Sequence, residues 1–245
     1  MTTLKNHPFG VETFFESSLV LTYAVPKEEL KALIPEYLEL DTFNDSWAFI
    51  AVAVVSTKNL RPKGFPVWLG NDFILLGYRV FVRYTDSRGK RLRGLYILKS
   101  ETDKMKMSFL GNLFTHYNYT TTDIRFQKEE QIMSVLSIQS DLDIAVNLKK
   151  ENVDLPAGSP FKEWKEARRF AGPLPFTFTC NTLTKEVLII EGVRENWTPR
   201  AVEVLRNRVG FINEKGFQTC VLANAFIIEH IPYFWKKGKI EKWKG

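Results

Sequence analysis

The chain has 245 residues, 44% of them hydrophobic and 25% charged, which is long enough for one large domain and excludes a disordered tract. Five Lys and one Glu in Lys236–Gly245 supply four of the six net positive charges, so the body is too weakly basic for a nucleic-acid surface. No run approaches the roughly 18 apolar residues of a membrane span, and no apolar secretion segment precedes Pro8, so a cytoplasmic protein without stable membrane insertion is expected.

Residues 1–11 read as a loose arm. Phe14–Val25 is extended and rich in Phe, Val, Leu, Thr and Tyr. Pro26 opens a short helix over Lys27–Leu33, which Pro35 stops. Leu38–Phe43 is a short strand, Asn44-Asp-Ser46 a turn, and Trp47–Ser56 a nearly all-apolar strand that must be buried on both faces. Lys58–Gly70, with Pro62, Gly64, Pro66 and Gly70, reads as a loop.

Asp72–Thr85 carries the longest strand pattern. Phe73, Leu75, Gly77, Arg79, Phe81 and Arg83 share one face, and Ile74, Leu76, Tyr78, Val80, Val82 and Tyr84 the other. Arg83 lies near the strand end, within reach of solvent. Arg79 is deeper, so it needs an anionic partner, either a structural carboxylate or a ligand. Asp86–Gly89 turns the chain into a returning strand, Arg91–Lys99.

Lys104–Phe114 fits a helix of about three turns, capped by Thr102 or Asp103, with Met105, Phe109, Leu110 and Leu113 on its apolar side. Strands are expected over Tyr117–Gln127, Gln131–Gln139 and Asp143–Leu148, and strand after strand with short turns argues an antiparallel sheet or barrel. Ser159 and Pro160 would start a helix over Phe161–Phe170. Phe176–Thr182, Glu186–Gly192 and Thr219–Ile231 read as further strands. Between the last two, a strand followed by a short helix near Val209–Glu214 is expected. Without repeats or a linker, residues 1–245 form one domain, with a basic tail at 236–245.

Several chemistries are missing. His7, His116 and His230 lack metal-ligand spacing, and no phosphate loop, dinucleotide fingerprint or Gly-x-Ser-x-Gly elbow occurs. No metal or cofactor is therefore expected. Cys180 and Cys220 sit in apolar runs, as buried thiols in a reducing compartment do. The remaining polar cluster is Lys99, Glu101, Lys104, Lys106 and His116, which offers a proton-transfer pair or a Schiff-base lysine with depressed pKa. The chain leaves one apolar strand through these residues and returns at His116, Tyr117 and Tyr119, the kind of crossing where small-molecule sites form.

The order of these features resembles a known family. Phe-Ile-Leu-Leu-Gly-Tyr-Arg-Val-Phe-Val-Arg at 73–83 and Arg-Gly-Leu-Tyr-Ile-Leu-Lys-Ser-Glu at 93–101 are similar to the uncharacterised YqjF-like family of the acetoacetate decarboxylase-like superfamily. Tyr-Ala-Val-Pro-x-x-x-Leu-x-x-Leu-Ile-Pro at 23–35, Pro-Ala-Gly-Ser-Pro-Phe-Lys-Glu-Trp at 156–164 and the strand near Phe226–Pro232 also fit, so the likeness covers roughly residues 12–235. The resemblance implies an α+β fold dominated by an antiparallel sheet, closed or nearly closed around a central cavity, with a few peripheral helices. In the decarboxylases an adjacent lysine pair forms and activates a Schiff base. The matching register here falls near Gly111-Asn112, where no such pair stands, and Lys104 and Lys106 are several residues away. The acid often found four residues before the strand arginine is Leu75 here, whereas Arg79 matches the arginine.

Three functions follow as expectations. The first is binding of a small anionic or carbonyl-containing molecule by Arg79, with Tyr78 and Tyr117 as further ligand contacts and Glu101 and His116 nearby. The second is a lyase or decarboxylase acting on a keto or hydroxy acid through Lys99, Lys104 or Lys106, with Glu101 or His116 carrying the proton. The third is an interaction module built on the basic tail. The expected partner is a small molecule, and homo-oligomerisation is compatible with the sequence.

Overall fold

The computed structural model describes residues 7–172, 174–195 and 197–243. Seven strands form a ring: β1 (Val11–Pro26), β2 (Trp47–Pro62), β3 (Asn71–Thr85), β4 (Arg91–Thr102), β5 (Phe176–Asn181), β6 (Glu186–Arg194) and β7 (Val221–Trp235). Pairing runs β7-β1-β2-β3-β4 antiparallel, β4 to β5 parallel, then β5 to β6 antiparallel, and β6 pairs back onto β7 to close the circuit. The short strands Glu39–Leu40, Tyr119–Thr121, Arg200–Ala201 and Lys239–Lys242 add to its edges.

Alternation decides which side chain goes where. On β2, Ile50, Val52 and Val54 point to the outer face of the ring and join Leu19, Leu21, Leu76 and Tyr78. A second, four-stranded antiparallel sheet covers that face: Arg125–Glu129, Ile132–Ser137, Leu142–Asn147 and Glu203–Val209. Its Met133, Val135, Ile144 and Val146 complete the core. Both faces of β2 are thus buried, as its near-continuous apolar run requires. The interior face carries Phe49, Ala51, Ala53 and Val55. The helices α1 (Lys27–Lys31), α2 (Met105–Phe114), α3 (Trp164–Phe170) and α4 (Gly210–Asn213) are short, and among the described residues none is long and apolar enough to cross a membrane.

The structure departs from the sequence reading in several places. Strand β2 runs on through Lys58–Pro62, expected as loop, because Val11 and Glu12 of β1 pair with Pro62 and Arg61; the proline sits at the strand's last position, where its missing N–H does least harm. Tyr117–Gln127 splits into two strands that join different sheets. Helix α3 begins at Trp164 after Glu163, not at Phe161, and the Ser159 hydroxyl instead donates to the Ala223 carbonyl at 2.7 Å.

Helix α2 starts after Lys104. The expected caps are engaged elsewhere: Asp103 Oδ1 accepts the Ile74 N–H at 2.7 Å, and Thr102 Oγ1 accepts the Lys104 N–H at 3.3 Å. Its buried side is Met107, while Met105, Phe109 and Leu113 are 78%, 68% and 51% exposed. Finally, Lys239–Lys242 of the basic tail is a strand paired with β6. Trp243 packs on Tyr37, with ring centroids 4.4 Å apart, so this segment is built into the fold rather than presented as a free arm.

Candidate functional site: a two-arginine cavity inside the ring

All seven ring strands contribute to a cavity of about 130 Å³ inside the ring. Room for it comes from the small residues Ala51 and Ala53 on the interior face of β2, opposite Arg79 and Gly77 of β3. Phe15, Phe73, Phe81, Leu95, Ile97, Phe226 and Trp235 supply apolar walls, and Ala171, Gly172 and Leu174 edge it where the chain leaves α3. Alternation along β4 breaks between Ile97 and Lys99, where Leu98 has no partner on β3. That bulge turns Ser100 into the cavity and sends Lys99 and Glu101 to the outer face.

Arg79 rises from the middle of β3 and folds back over Gly77. A Cβ at Gly77 would stand 2.8 Å from Arg79 Nε and 3.0 Å from a terminal nitrogen, so the glycine provides the bed on which the guanidinium lies. Among the described residues no carboxylate lies within 4.0 Å of Arg79, and its buried Nε has no hydrogen-bond partner. Burial lowers its pKa, and Tyr233, Tyr119 and Tyr117 around it partly oppose that shift. Arg83, four residues on, contrasts: it bridges to the fully buried Asp41, which also holds Arg93 at 2.6 Å. The expectation that Arg83 reaches solvent is thereby corrected.

Arg194, the last residue of β6, is a second cavity guanidinium that the sequence reading missed. The strand was expected to stop at Gly192, two residues short, although Gly192 and Arg194 share a face by alternation. Arg194 stacks on Trp197 at 4.0 Å from the ring centroid and lies beside Tyr233, its register partner on β7. Burial lowers its pKa and Arg79 lowers it further, while Tyr233 opposes both. A Cβ at Gly192 would fall 2.0 Å from Tyr233 Oη, so this glycine admits the phenol to its place between the two arginines.

The cavity's unmatched polar atoms are donors. Besides Arg79 Nε, Trp197 Nε1 is buried without a partner, and Tyr117 Oη lies near Thr177 without a well-formed hydrogen bond. Burial pushes the Tyr117 phenol up, and pushes Tyr119 up to about 12 against the pull of Arg79, so both stay protonated near neutrality.

The other expected residues lie elsewhere. Tyr78, Lys99 and Glu101 form a closed group on the ring's outer face: Tyr78 Oη donates to Glu101 Oε2 at 3.0 Å, Ser140 Oγ donates to Oε1 at 3.0 Å, and Lys99 Nζ bridges to Oε1 at 2.7 Å. The Tyr78 ring stacks on Phe211 at 4.2 Å, and burial followed by Glu101 pushes its phenol up. Lys104 is exposed and bridges to Asp103 at 3.5 Å, Lys106 is exposed on α2, and half-buried His116 is not among the cavity residues. Of the named candidates, the ring brings Arg79 and Tyr117 together and adds Arg194, Tyr119, Tyr233 and Trp197 to them.

Among the described residues, the cavity lining contains no Asp, Glu, His, Lys or Cys. Its chemistry is therefore that of cations, hydroxyls and an indole N–H, all suited to binding and polarising acceptor oxygens.

Comparison with solved structures gives the fold its relatives. Acetoacetate decarboxylase from Legionella pneumophila superposes with a TM-score of 0.62 at 12% identity, covering 98% of this chain and 90% of that one. An acetoacetate decarboxylase-like enzyme from Sphingomonas wittichii gives 0.60 at 10% identity, covering 97% and 94%. The enduracididine biosynthesis enzyme MppR, in its complex with pyruvate, gives 0.55 at 9% identity, covering 98% and 91%. In sequence, the uncharacterised protein YqjF of Bacillus subtilis (strain 168) is 33% identical over 110 residues, which is 44% of this chain and 43% of YqjF. A family model described as an uncharacterised conserved protein, DUF2071, matches residues 14–231, nearly the whole of the ring and its second sheet, and the chain belongs to that family.

Proposed function

We propose that this protein binds a small organic anion inside the ring, with Arg79 as its anchor. One observation carries the reading: two guanidinium groups face an aromatic-walled cavity with no carboxylate within 4.0 Å among the described residues, where Arg79 Nε, Tyr117 Oη and Trp197 Nε1 are buried without hydrogen-bond partners. An uncompensated cation in such a place is costly, and a bound anion removes the cost for each guanidinium it meets. The fold's solved relatives include a pyruvate complex, which supports a small acid as the kind of guest the architecture accepts. A lyase working through a Schiff-base lysine draws support from the superfamily likeness, but the cavity lining offers it no amine.

Calorimetric titration of the purified protein with pyruvate and acetoacetate, beside an Arg79→Gln variant, tests this. Saturable binding that weakens by about tenfold or more in the variant is expected for loss of a charge-assisted contact. Equal affinity in both proteins would show that Arg79 does not hold the ligand.

A further inference from the structure

The cavity presents two positive charges, not one. Arg79 lies on the floor over Gly77, and Arg194 lies at the wall on Trp197, with the Tyr233 hydroxyl next to both. A monoanion compensates one of them. The other then remains among apolar walls, where an uncompensated charge is worth more than it would be in water.

The donors without partners also divide between the two arginines. Tyr117 lies near enough to Arg79 to feel its charge, and Trp197 carries the Arg194 guanidinium on its ring. Two donor groups, each with its own cation, match two separated acceptor groups better than one compact anion. The volume, about 130 Å³, is comparable to cavities that admit a benzene-sized guest, so the body joining the two groups is short, about two or three carbons.

We infer that the ligand is a short-chain dicarboxylate, one carboxylate on Arg79 and Tyr117 and the other on Arg194 and Trp197. This rests on the anion-binding reading above, and the test separates the two. The full-length protein is titrated with acids matched in length, butyrate against succinate and valerate against glutarate, and with inorganic phosphate as a compact dianion. Each diacid is expected to bind about tenfold or more tighter than its monoacid, and tighter than phosphate. Arg194→Gln is expected to erase the diacid preference.

Diacids and monoacids that bind the unmodified protein equally, both through Arg79, would overturn the dicarboxylate inference and leave the anion cavity standing. Phosphate binding tighter than every diacid would overturn it in favour of a compact anion. No measurable binding of any of the five would sink the anion cavity itself. The comparison in unmodified protein needs no variant, so a folding defect in Arg194→Gln does not shield the inference.

Discussion

The two faces of strand β3 handle buried charge in opposite ways. On the outer face, Glu101 on the neighbouring strand is 3% exposed and saturated: a phenol, a hydroxyl and an ammonium group meet its two oxygens. On the interior face, one residue along the strand from Tyr78, Arg79 has no carboxylate within 4.0 Å among the described residues and its Nε has no partner. A charge whose partners are all supplied by the chain fixes structure; here it ties β4 to Tyr78 and, through Ser140, to the turn of the second sheet. On the proposed reading, the cation without a carboxylate beside it is held for a guest. Arg79 is half-buried where Glu101 is buried, but the larger difference lies in what surrounds each ion.

The strongest way to break that comparison is to swap the roles. Glu101→Ala strands a buried phenol and takes away the carboxylate of Lys99, and is expected to cost about 2–3 kcal/mol in urea unfolding, below the figure for a fully buried pair because Lys99 can turn to water. Arg79→Met, by contrast, removes an uncompensated cation from an apolar wall and is expected to be neutral or stabilising. If Arg79→Met proves the more damaging of the two, the distinction between a structural and a waiting charge fails.

A smaller effect should come from Gly77→Ala. The added methyl occupies the bed of the guanidinium, so anion affinity is expected to fall about tenfold by calorimetry, with a folded, cooperative protein in thermal unfolding. Unchanged affinity would mean that Arg79 binds from some other posture. The smallest is an alkaline one. Tyr119 and the outer-face Tyr84 are each raised to about 12 by burial. Both are protonated in the folded and unfolded chain below pH 10; above it the unfolded chain sheds protons first. Their contribution is therefore whole below pH 10 and is lost as pH rises towards 12, a decline readable from urea midpoints. Midpoints flat across that window would contradict the burial of these phenols.

Much of the fold was legible because it rests on alternation. The pattern over Asp72–Thr85 separates Arg79 from Tyr78, and the apolar run of β2 demands cover on both sides; the ring and the second sheet supply it. What was not legible rests on single-residue irregularities and distant partners. The bulge at Leu98 reverses the faces of Lys99, Ser100 and Glu101 with no glycine or proline to announce it. The helix period of α2 was readable, but Met107 rather than Met105 lies inward because Gly111 fits against the Tyr119 ring; a Cβ there would stand 2.4 Å from it. Lys239–Lys242 looks solvated, yet its Glu241 is 6% exposed and accepts the Ser87 N–H at 2.8 Å, a partner 154 positions away. Arg194 had one local sign: a cation two positions after a strand glycine and three before a tryptophan.

The hairpin of β5 and β6 has a mechanical consequence. It joins the ring by three residue pairs to β4 on one side and three to β7 on the other, whereas β1 meets β2 along fourteen. Short ladders open at lower free energy than long ones. The panel carries Thr177 and Arg194 on its inner surface, so the part of the wall most easily swung aside also bears half of the positive charge. On the proposed reading, a guest that engages Arg194 and Arg79 together would fasten this panel to the rest of the ring.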